Sequence, residues 1–210
     1  MCYSEGRVGW IGRMLAMGRT PRKCDAIFVL AGARERKVYG LQLYGEGLAT
    51  RILLSVGRFE IRRFRELPLP YPAGVTPINL LAAAQPIPPP ERHFFVACDG
   101  GGVSFERVPA GRLGTLREIR ALANWCGQRP EVQSLVIVSS RFHLRRVRMC
   151  CRAVLPKELW ITYAASPEEG NAANGGEDEP RTRTLALEFL KLAVYRVVLL
   201  RFRVPGMMAG

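Results

Sequence analysis

The residues with the densest functional chemistry lie in one short stretch of the sequence. It holds two adjacent hydroxyls, one of only two histidines and two adjacent arginines, at Ser139, Ser140, His143, Arg145 and Arg146. A helix N-terminus attracts anions and arginine forks bind phosphate, so we expect an anion pocket here with His143 as hydrogen-bond donor or general acid/base. The structural alternative is a helix cap by Ser140, a packed histidine and a solvated basic face.

Thr115 and Glu118 form a second pair with two possible roles. The spacing T-x-x-E is that of a capping box, in which both side chains bind backbone N–H groups at a helix start. The functional alternative places Glu118 in the pocket as a catalytic acid or base and Thr115 as a ligand contact. The spacing alone leaves both roles open.

Two earlier turns belong to the same predicted site. Gly32 follows the first predicted strand, Arg36 lies just inside the next helix, and Ser55 ends the second strand. In an open parallel α/β sheet, ligands bind beyond the carboxyl ends of the strands. We therefore expect Gly32, Arg36 and Ser55 to converge with His143 at one edge of the sheet.

Alternating apolar strands and amphipathic helices must position these groups. The predicted strands are Asp25 to Leu30, Arg51 to Ser55, Arg92 to Cys98, Val103 to Val108, Leu135 to Ser139 and Leu159 to Ala164. The predicted helices are Arg34 to Gly45, Phe59 to Leu67, Asn79 to Ala84, Thr115 to Cys126, His143 to Val154 and Arg181 to Phe202.

The order of these elements predicts an α/β fold. A strand–helix–strand start favours parallel pairing with a right-handed crossover, and Asp99-Gly100-Gly101-Gly102 favours a hairpin turn over a phosphate cradle. We predict a Rossmann-like three-layer α/β/α sandwich, with a mostly parallel sheet and an antiparallel hairpin at its edge. His93 falls within a predicted strand of that hairpin, and we expect it to pack there.

The chain divides into a lead-in, one domain and a tail. We assign residues 1–23 to the lead-in, 24–203 to a single α/β domain and 204–210 to the tail. Residues 68–90 hold eight of the fifteen prolines, which indicates either a lid or a static loop. All charged residues in 166–180 are acidic, and we expect this segment to be a solvated loop.

The charge is strongly positive, with 31 basic residues against 18 acidic ones and a net charge of +13. Arginine supplies nearly all of it, which fits either phosphate binding or a genome-wide compositional bias. Residues 107–152 carry ten arginines against two glutamates, and we expect an anionic small molecule as partner. No nucleic-acid motif is present, and aromatic residues are not interleaved with the basic stretch, so we expect no nucleic-acid partner.

The cysteine, histidine and hydropathy patterns exclude several classes of protein. No C-x-x-C pair or metal-binding helix motif occurs, so we expect no metal site and reduced, mostly buried thiols. No signal peptide is evident, and Glu188, Lys191 and Arg196 interrupt the most apolar segment. We expect a cytoplasmic protein, with peripheral contact to the inner membrane left open.

The sequence resembles the YdcF/SanA/ElyC-like family, which is catalogued as a domain of unknown function. The resemblance covers roughly residues 24–200. Its most specific element is Ser140, His143 and Arg146, in the spacing Ser–x–x–His–x–x–Arg. It also rests on Asp25 to Gly32 with Arg36, Ile52 to Gly57, Gly114-Thr115 with Glu118, and a closing Glu188, Lys191 and Tyr195.

The resemblance implies a Rossmann-like sandwich and a role in bacterial cell-envelope biogenesis, tied to peptidoglycan or lipid-carrier metabolism. One member of the family is reported to bind S-adenosylmethionine, so the resemblance implies S-adenosylmethionine or another nucleotide-type ligand. We expect a phosphorylated or nucleotide-type small molecule at the carboxyl edge of the sheet. The alternative is a noncatalytic envelope factor that docks on a membrane or a partner through its basic face and apolar last helix.

Overall fold

One six-stranded sheet, with its strands numbered along the chain and ordered β4-β3-β2-β1-β5-β6, has four adjacent parallel strands on one side and an antiparallel hairpin on the other. The computed structural model describes residues 21–67, 69, 75–99, 102–111, 113–167 and 179–202. The strands are β1 (Ala26–Val29), β2 (Arg51–Gly57), β3 (His93–Asp99), β4 (Gly102–Arg107), β5 (Ser134–Ser139) and β6 (Trp160–Ala165). The helices are α1 (Arg34–Gly45), α2 (Val75–Ala84), α3 (Gly114–Gly127), α4 (Leu144–Val154) and α5 (Glu179–Phe202), with short 3₁₀ helices at Ile61–Glu66 and Pro89–Glu91.

Strand β1 shows why the sheet is covered on both faces. Phe28 packs into a cluster with residues of α3, α4 and α5, whereas Ile27 and Val29 pack into a second cluster with residues of α1, α2 and the first 3₁₀ helix. A continuous apolar run is what a strand buried on both faces requires. The predicted three-layer α/β sandwich is therefore confirmed.

The hairpin of β3 and β4 lies at one edge of the sheet, as the sequence predicted. Strand β3 runs antiparallel to both β2 and β4, whereas β1, β2, β5 and β6 are mutually parallel. Because β3 is antiparallel, its first residue, His93, pairs with Gly57 at the end of β2. His93 thus reaches the same edge of the sheet as the carboxyl ends of the parallel strands.

Several predicted boundaries shift in the structure. Strand β2 continues two residues past Ser55 because β3 supplies partners as far as Gly57. Helix α2 begins at Val75, four residues before the predicted start. The predicted helix after β2 is a 3₁₀ helix over Ile61–Glu66. Residues 1–20, 168–178 and 203–210, which include most of the predicted lead-in, the acidic loop and the tail, lie outside the described residues.

The chain changes direction across the sheet after β1. It passes through α1 to β2 on one side, and much later returns to β5 on the other side of β1. The ends of β1 and β5 therefore flank the topological switch point, where an open α/β sheet leaves a crevice for ligands. We call the side where β1, β2, β5 and β6 end the carboxyl edge.

Helix α1 packs close against β1, which seats its first turn at this crevice. Gly40 permits that approach, since a Cβ there would overlap the side chain of Val29. Arg36 and Lys37 lie in the first turn, one helical turn before Gly40. The close packing therefore holds two cationic side chains at the carboxyl edge.

Helix α5 presents apolar side chains on both its buried and its exposed faces. Tyr195 and Leu199 are buried in the cluster with α3 and α4. The exposed apolar side chains of α5 are Leu187, Phe189, Leu190, Val194, Val197 and Leu200. Within the described part of the chain, no helix combines the length and apolar character needed to cross a membrane.

The cysteines of the described residues are free thiols. Cys98, Cys126, Cys150 and Cys151 are buried, and burial raises the pKa of Cys98 and Cys126 to about 11. A thiol that stays protonated at neutral pH is a poor nucleophile. These cysteines contribute apolar packing, in agreement with the prediction of reduced, buried thiols.

Candidate functional site

Arg36 joins the two turns that flank the switch point. Its Nη1 donates to the carbonyl oxygen of Ala31 at 2.6 Å, and its Nη2 donates to Ser140 Oγ at 2.9 Å. Burial lowers the pKa of this guanidinium, but an arginine stays charged at neutral pH. The structure thus fixes a positive charge between the ends of β1 and β5.

Gly32 lies directly against this guanidinium. Its φ of +129° is rarely adopted by residues with a Cβ, and a Cβ here would lie 2.6 Å from Arg36 Nη1. Glycine is therefore required for the backbone to turn at this point and pass the arginine.

His143 is held by hydroxyl groups on both sides of its ring. Ser139 Oγ lies 2.9 Å from Nδ1, and Thr115 Oγ1 lies 3.1 Å from Nε2. Desolvation, with Arg146 and Arg36 nearby, holds the pKa of this imidazole well below its usual value. His143 is therefore neutral at pH 7 and oriented by α3 and the end of β5.

Ser140 does not cap the helix that follows it. Position 143 is the N-cap of α4, and no side chain makes a capping hydrogen bond there. The backbone N–H groups of His143 and Leu144 instead donate to the Ser140 carbonyl, which leaves Ser140 Oγ to accept from Arg36. The structural alternative for Ser140, a helix cap, is wrong.

The capping-box alternative for Thr115 and Glu118 is also wrong. Helix α3 begins at Gly114, two residues before the start that Thr115 as N-cap would require, and it has no side-chain cap. Thr115 Oγ1 instead contacts His143, while Glu118 Oε1 accepts from the Ala31 N–H at 2.9 Å and from Ser55 Oγ at 2.5 Å. Burial raises the pKa of Glu118, and these two hydrogen bonds oppose that rise.

His93 is a member of this network that sequence reasoning missed. Its Nε2 lies 2.7 Å from Ser55 Oγ and 3.7 Å from Glu118 Oε1, and Arg117 contacts its Nδ1. Because a guanidinium can only donate, Nδ1 accepts and the ring proton lies on Nε2. The hydrogen bonds then run in one direction, from Arg117 through His93 and Ser55 to Glu118.

Burial and the charge of Arg117 lower the pKa of His93 to about 3. The imidazole is therefore neutral at pH 7, as the direction of the hydrogen bonds requires. The chain of contacts fixes the ring of His93 and, through it, the guanidinium of Arg117. Arg117 is thereby linked, through His93 and Ser55, to the buried carboxyl group of Glu118.

Helices α4 and α5 close the other end of the network. Arg146 Nη1 donates to Glu188 Oε2 at 2.7 Å, and Lys191 Nζ donates to Glu188 Oε1 at 3.1 Å. The Arg146 guanidinium also lies 5.4 Å from the ring centre of Tyr195, whose hydroxyl accepts from the Thr115 N–H at 3.2 Å. Arg145 is half-buried on α4 and lies on a different face of the helix from Arg146, because adjacent helix residues do not face each other.

A cavity of about 570 Å³ opens at the carboxyl edge, beside the turns after β1 and β2. Of the predicted site residues, only Gly32 is among the described residues that line it. Its charged and titratable wall groups are Arg34, Lys37, Arg58, Glu60, Arg63, Arg92, His93 and Arg117. Five arginines and one lysine therefore face a single carboxylate among the described lining residues.

Glu60 is the second residue that sequence reasoning missed. Its Oε1 accepts from the Gly32 N–H at 3.0 Å, its Oε2 accepts from the Gly57 N–H at 2.8 Å, and Lys37 Nζ binds the same carboxylate. Lys37 is buried, and its pKa is lowered by that burial and raised again by Glu60. The carboxylate thus joins the turns after β1 and β2.

The structure brings together most of the predicted site and separates it into two parts. Ser139, Thr115, His143 and Arg146 are buried and Ser140 beside them is half-buried, whereas Gly32 faces the cavity. The sequence held a signal for His93, because the first residue of an antiparallel strand lies where its parallel neighbour ends. Glu60 had no such signal, since its partners are backbone amides brought together only by folding.

Among the described residues, no group of three or more histidine, cysteine or acidic side chains could hold a metal ion. Comparison with protein-family models, with curated proteins and with solved structures found no match for this chain.

Proposed function

We propose that this protein binds a phosphorylated or nucleotide-type small molecule in the cavity at the carboxyl edge, and that it acts in bacterial cell-envelope biogenesis. The observation that carries the ligand class is the charge of the cavity wall, with five arginines and Lys37 against Glu60. A wall with this excess of cations concentrates anions and suits phosphoryl oxygens. The envelope role comes from the sequence resemblance alone.

The exposure and position of the arginines fit this ligand class. Arg34, Arg58 and Arg63 are exposed to an incoming anion, whereas Arg117 is held by its contact with His93. A volume of about 570 Å³ lies in the range of ordinary small-molecule sites. The cavity also lies at the carboxyl edge next to the switch point, the usual ligand position in open α/β sheets.

S-adenosylmethionine fits the cavity less well than a phosphorylated ligand. Its sulfonium and amino groups are cationic, and the cavity wall already has a large excess of cations. The one carboxylate of the described wall, Glu60, is bound to two amides and Lys37. The charge balance therefore favours a ligand with phosphate groups.

The test is to identify and then measure the bound ligand. Mass spectrometry of the natively purified protein should detect a phosphorylated small molecule, and calorimetry with a nucleoside diphosphate should give measurable affinity. Arg58→Ala with Arg63→Ala should weaken that affinity about tenfold or more, since charge-assisted hydrogen bonds are worth about 1.5–3 kcal/mol. Arg152→Ala, an exposed arginine outside the cavity, is the matched control. Tighter binding of S-adenosylmethionine than of any phosphorylated compound would contradict the proposal.

The exposed apolar face of α5 favours a second candidate, a membrane-peripheral or partner-docking envelope factor. Leu190 and Val197 are 61% and 57% exposed, and they lie two turns apart on the helix. Large exposed apolar side chains that cluster on one element mark an interaction surface. This role is compatible with ligand binding at the cavity, because the two surfaces use different residues.

Flotation with vesicles that contain anionic lipid tests this second role. The protein should float with the vesicles at low salt, and Leu190→Glu with Val197→Glu should abolish flotation. Trp160→Glu, which alters an exposed aromatic residue at the start of β6, is the control. Flotation that persists in the α5 variant would count against this role for the helix.

A further inference from the structure

Two backbone amides and a buried lysine converge on one point of the cavity wall. The first amide is the N–H of Gly32 in the turn after β1, and the second is the N–H of Gly57, the last residue of β2. The lysine is Lys37 on α1, whose Nζ lies beside them. Backbone N–H groups at strand ends, with a cation beside them, form an anion-binding cradle. We call these three donors the amide–lysine cradle.

The cradle is occupied by a carboxylate of the protein itself. Glu60 accepts from all three donors, although its side chain is 18% exposed at the cavity wall, while that of Lys37 is only 2% exposed. A carboxylate presents two oxygens in much the same geometry as two oxygens of a phosphate group. Glu60 is therefore seated where an anionic group of a ligand would make the same contacts.

The cavity wall also offers new partners for a displaced Glu60. Arg58 and Arg63 line the same cavity and are exposed. Glu60 lies in a tight turn, with its N–H donating to the Gly57 carbonyl at 2.9 Å, so its side chain can rotate away while the backbone stays in place. A small rotation would thus free the cradle without unfolding the segment.

We propose that the amide–lysine cradle is the subsite for a phosphate group of the ligand, and that Glu60 occupies it in the free protein as an internal competitor. This inference rests on the proposed function and specifies where the ligand's phosphate binds. Ligand binding exchanges one anion for another on Gly32, Gly57 and Lys37, and releases Glu60 to the cavity arginines. The affinity of the free protein for phosphate is reduced by the fraction of molecules in which Glu60 fills the cradle.

Neutralising the competitor provides the first test. Calorimetry with inorganic phosphate and with pyrophosphate should show that Glu60→Gln binds about tenfold or more tightly than the unaltered protein, because the competing charge is gone. Glu66→Gln removes the same charge from an exposed position on the neighbouring 3₁₀ helix and should change affinity by less than about twofold. Lys37→Met in the Glu60→Gln background should remove the gain.

The position of the anion is tested by NMR, which does not depend on Lys37→Met folding. In the Glu60→Gln variant, pyrophosphate should shift the amide resonances of Gly32 and Gly57 more than those of the remaining glycines. Unmoved resonances at both glycines would overturn the inference, even if affinity rises, because the anion would then bind elsewhere.

The outcomes separate this inference from the proposed function. If Glu60→Gln lowers thermal stability without increasing the affinity for phosphate or pyrophosphate, Glu60 only holds the turns after β1 and β2 together. The inference then fails. Nucleotide binding that still depends on Arg58 and Arg63 would leave the proposed function standing in that case. If no variant binds any phosphorylated probe, both the inference and the proposed function fail.

Discussion

The carboxyl edge contains two neighbouring regions that differ in access to solvent. On one side, the turns after β1 and β2 surround an open cavity with exposed arginines and His93 in its wall. On the other side, the turn after β5 encloses His143 among Ser139, Thr115 and Arg146. Each region holds one of the two histidines, and burial keeps both of them neutral.

Under the proposed function, the open region recognises the ligand and the closed region supports it. The most specific sequence element, Ser140, His143 and Arg146, lies in the closed region and binds other protein groups. The open region carries weaker sequence signals, a glycine and scattered arginines, yet it has the space for a ligand. Arg36 links the regions, because it contacts Ser140 on one side and lies against Gly32 on the other.

If the closed region is a framework, its variants should lose stability with little effect on ligand affinity. Arg146→Met should show the largest effect, a loss of about 3 kcal/mol, because it removes the buried ion-pair partner of the largely buried Glu188 and leaves the exposed Lys191. Urea unfolding at neutral pH measures the loss. Arg152→Met, on the exposed end of the same helix, should stay within about 0.5 kcal/mol.

The opposite result would move the binding site. If Arg146→Met unfolds at the same urea concentration as the unaltered protein but no longer binds the nucleoside diphosphate, the closed region takes part in recognition. The division between the two regions would then be wrong.

Gly32→Ala should disturb both regions together. Alanine is strained at a φ of +129°, and its Cβ would overlap the Arg36 guanidinium. We expect the free energy of unfolding to fall by about 2 kcal/mol. Ligand affinity should fall as well, since Gly32 lines the cavity. Thermal unfolding and calorimetry measure the two effects.

Gly45→Ala is the matched control for this substitution. Gly45 ends α1 with open space around its Cβ position, so alanine should change stability by less than about 1 kcal/mol. Equal effects at the two glycines would show that Gly32 has no special role.

The fold could be predicted from the sequence because its signals are local and redundant. Each central strand is a continuous apolar run, which predicts burial on both faces of the sheet. Each helix that joins two parallel strands makes a right-handed crossover, which limits the possible topologies. The hairpin turn followed from the glycines after Asp99, and its edge position from the break in strand–helix alternation. Strand ends were less certain, and β2 extends to Gly57 only because β3 pairs with it.

The candidate site could be predicted in membership but not in arrangement. Gly32, Arg36, Ser55 and His143 follow strand ends, so topology alone brings them to one edge. Which of them face solvent depends on long-range packing, such as the contact of Tyr195 on α5 with the Thr115 N–H. The partners of Glu60 are backbone amides, which leave no pattern in side-chain spacing.

A third prediction concerns the two histidines and tests whether burial keeps both of them neutral. The chain has only two imidazoles, so both can be followed by NMR. In the native protein neither should titrate between about pH 7.5 and 5.5, whereas in urea both should titrate near about 6.5. If either imidazole titrated in that range in the native protein, it would be exposed to solvent, which would contradict its burial in the structure.

The same shifts predict how stability depends on pH. The native pKa of each histidine lies below its unfolded value, so the unfolded chain binds more protons and stability falls as pH drops below about 6.5. For His93, whose native pKa is about 3, the slope approaches about 1.4 kcal/mol per pH unit between pH 6 and 4. Glu118 acts in the opposite direction, because burial raises its pKa.

His93→Gln isolates the contribution of the open region. Glutamine keeps a donor for Ser55 but cannot titrate, so the slope of unfolding free energy against pH should decrease by up to about 1.4 kcal/mol per unit. Because His143 is shielded mainly by burial in its own region, His143→Gln should remove a similar slope independently, and the double variant should lose the sum. A double variant that loses no more than either single one would mean that the two regions titrate as one unit, which their separate hydrogen-bond partners do not support.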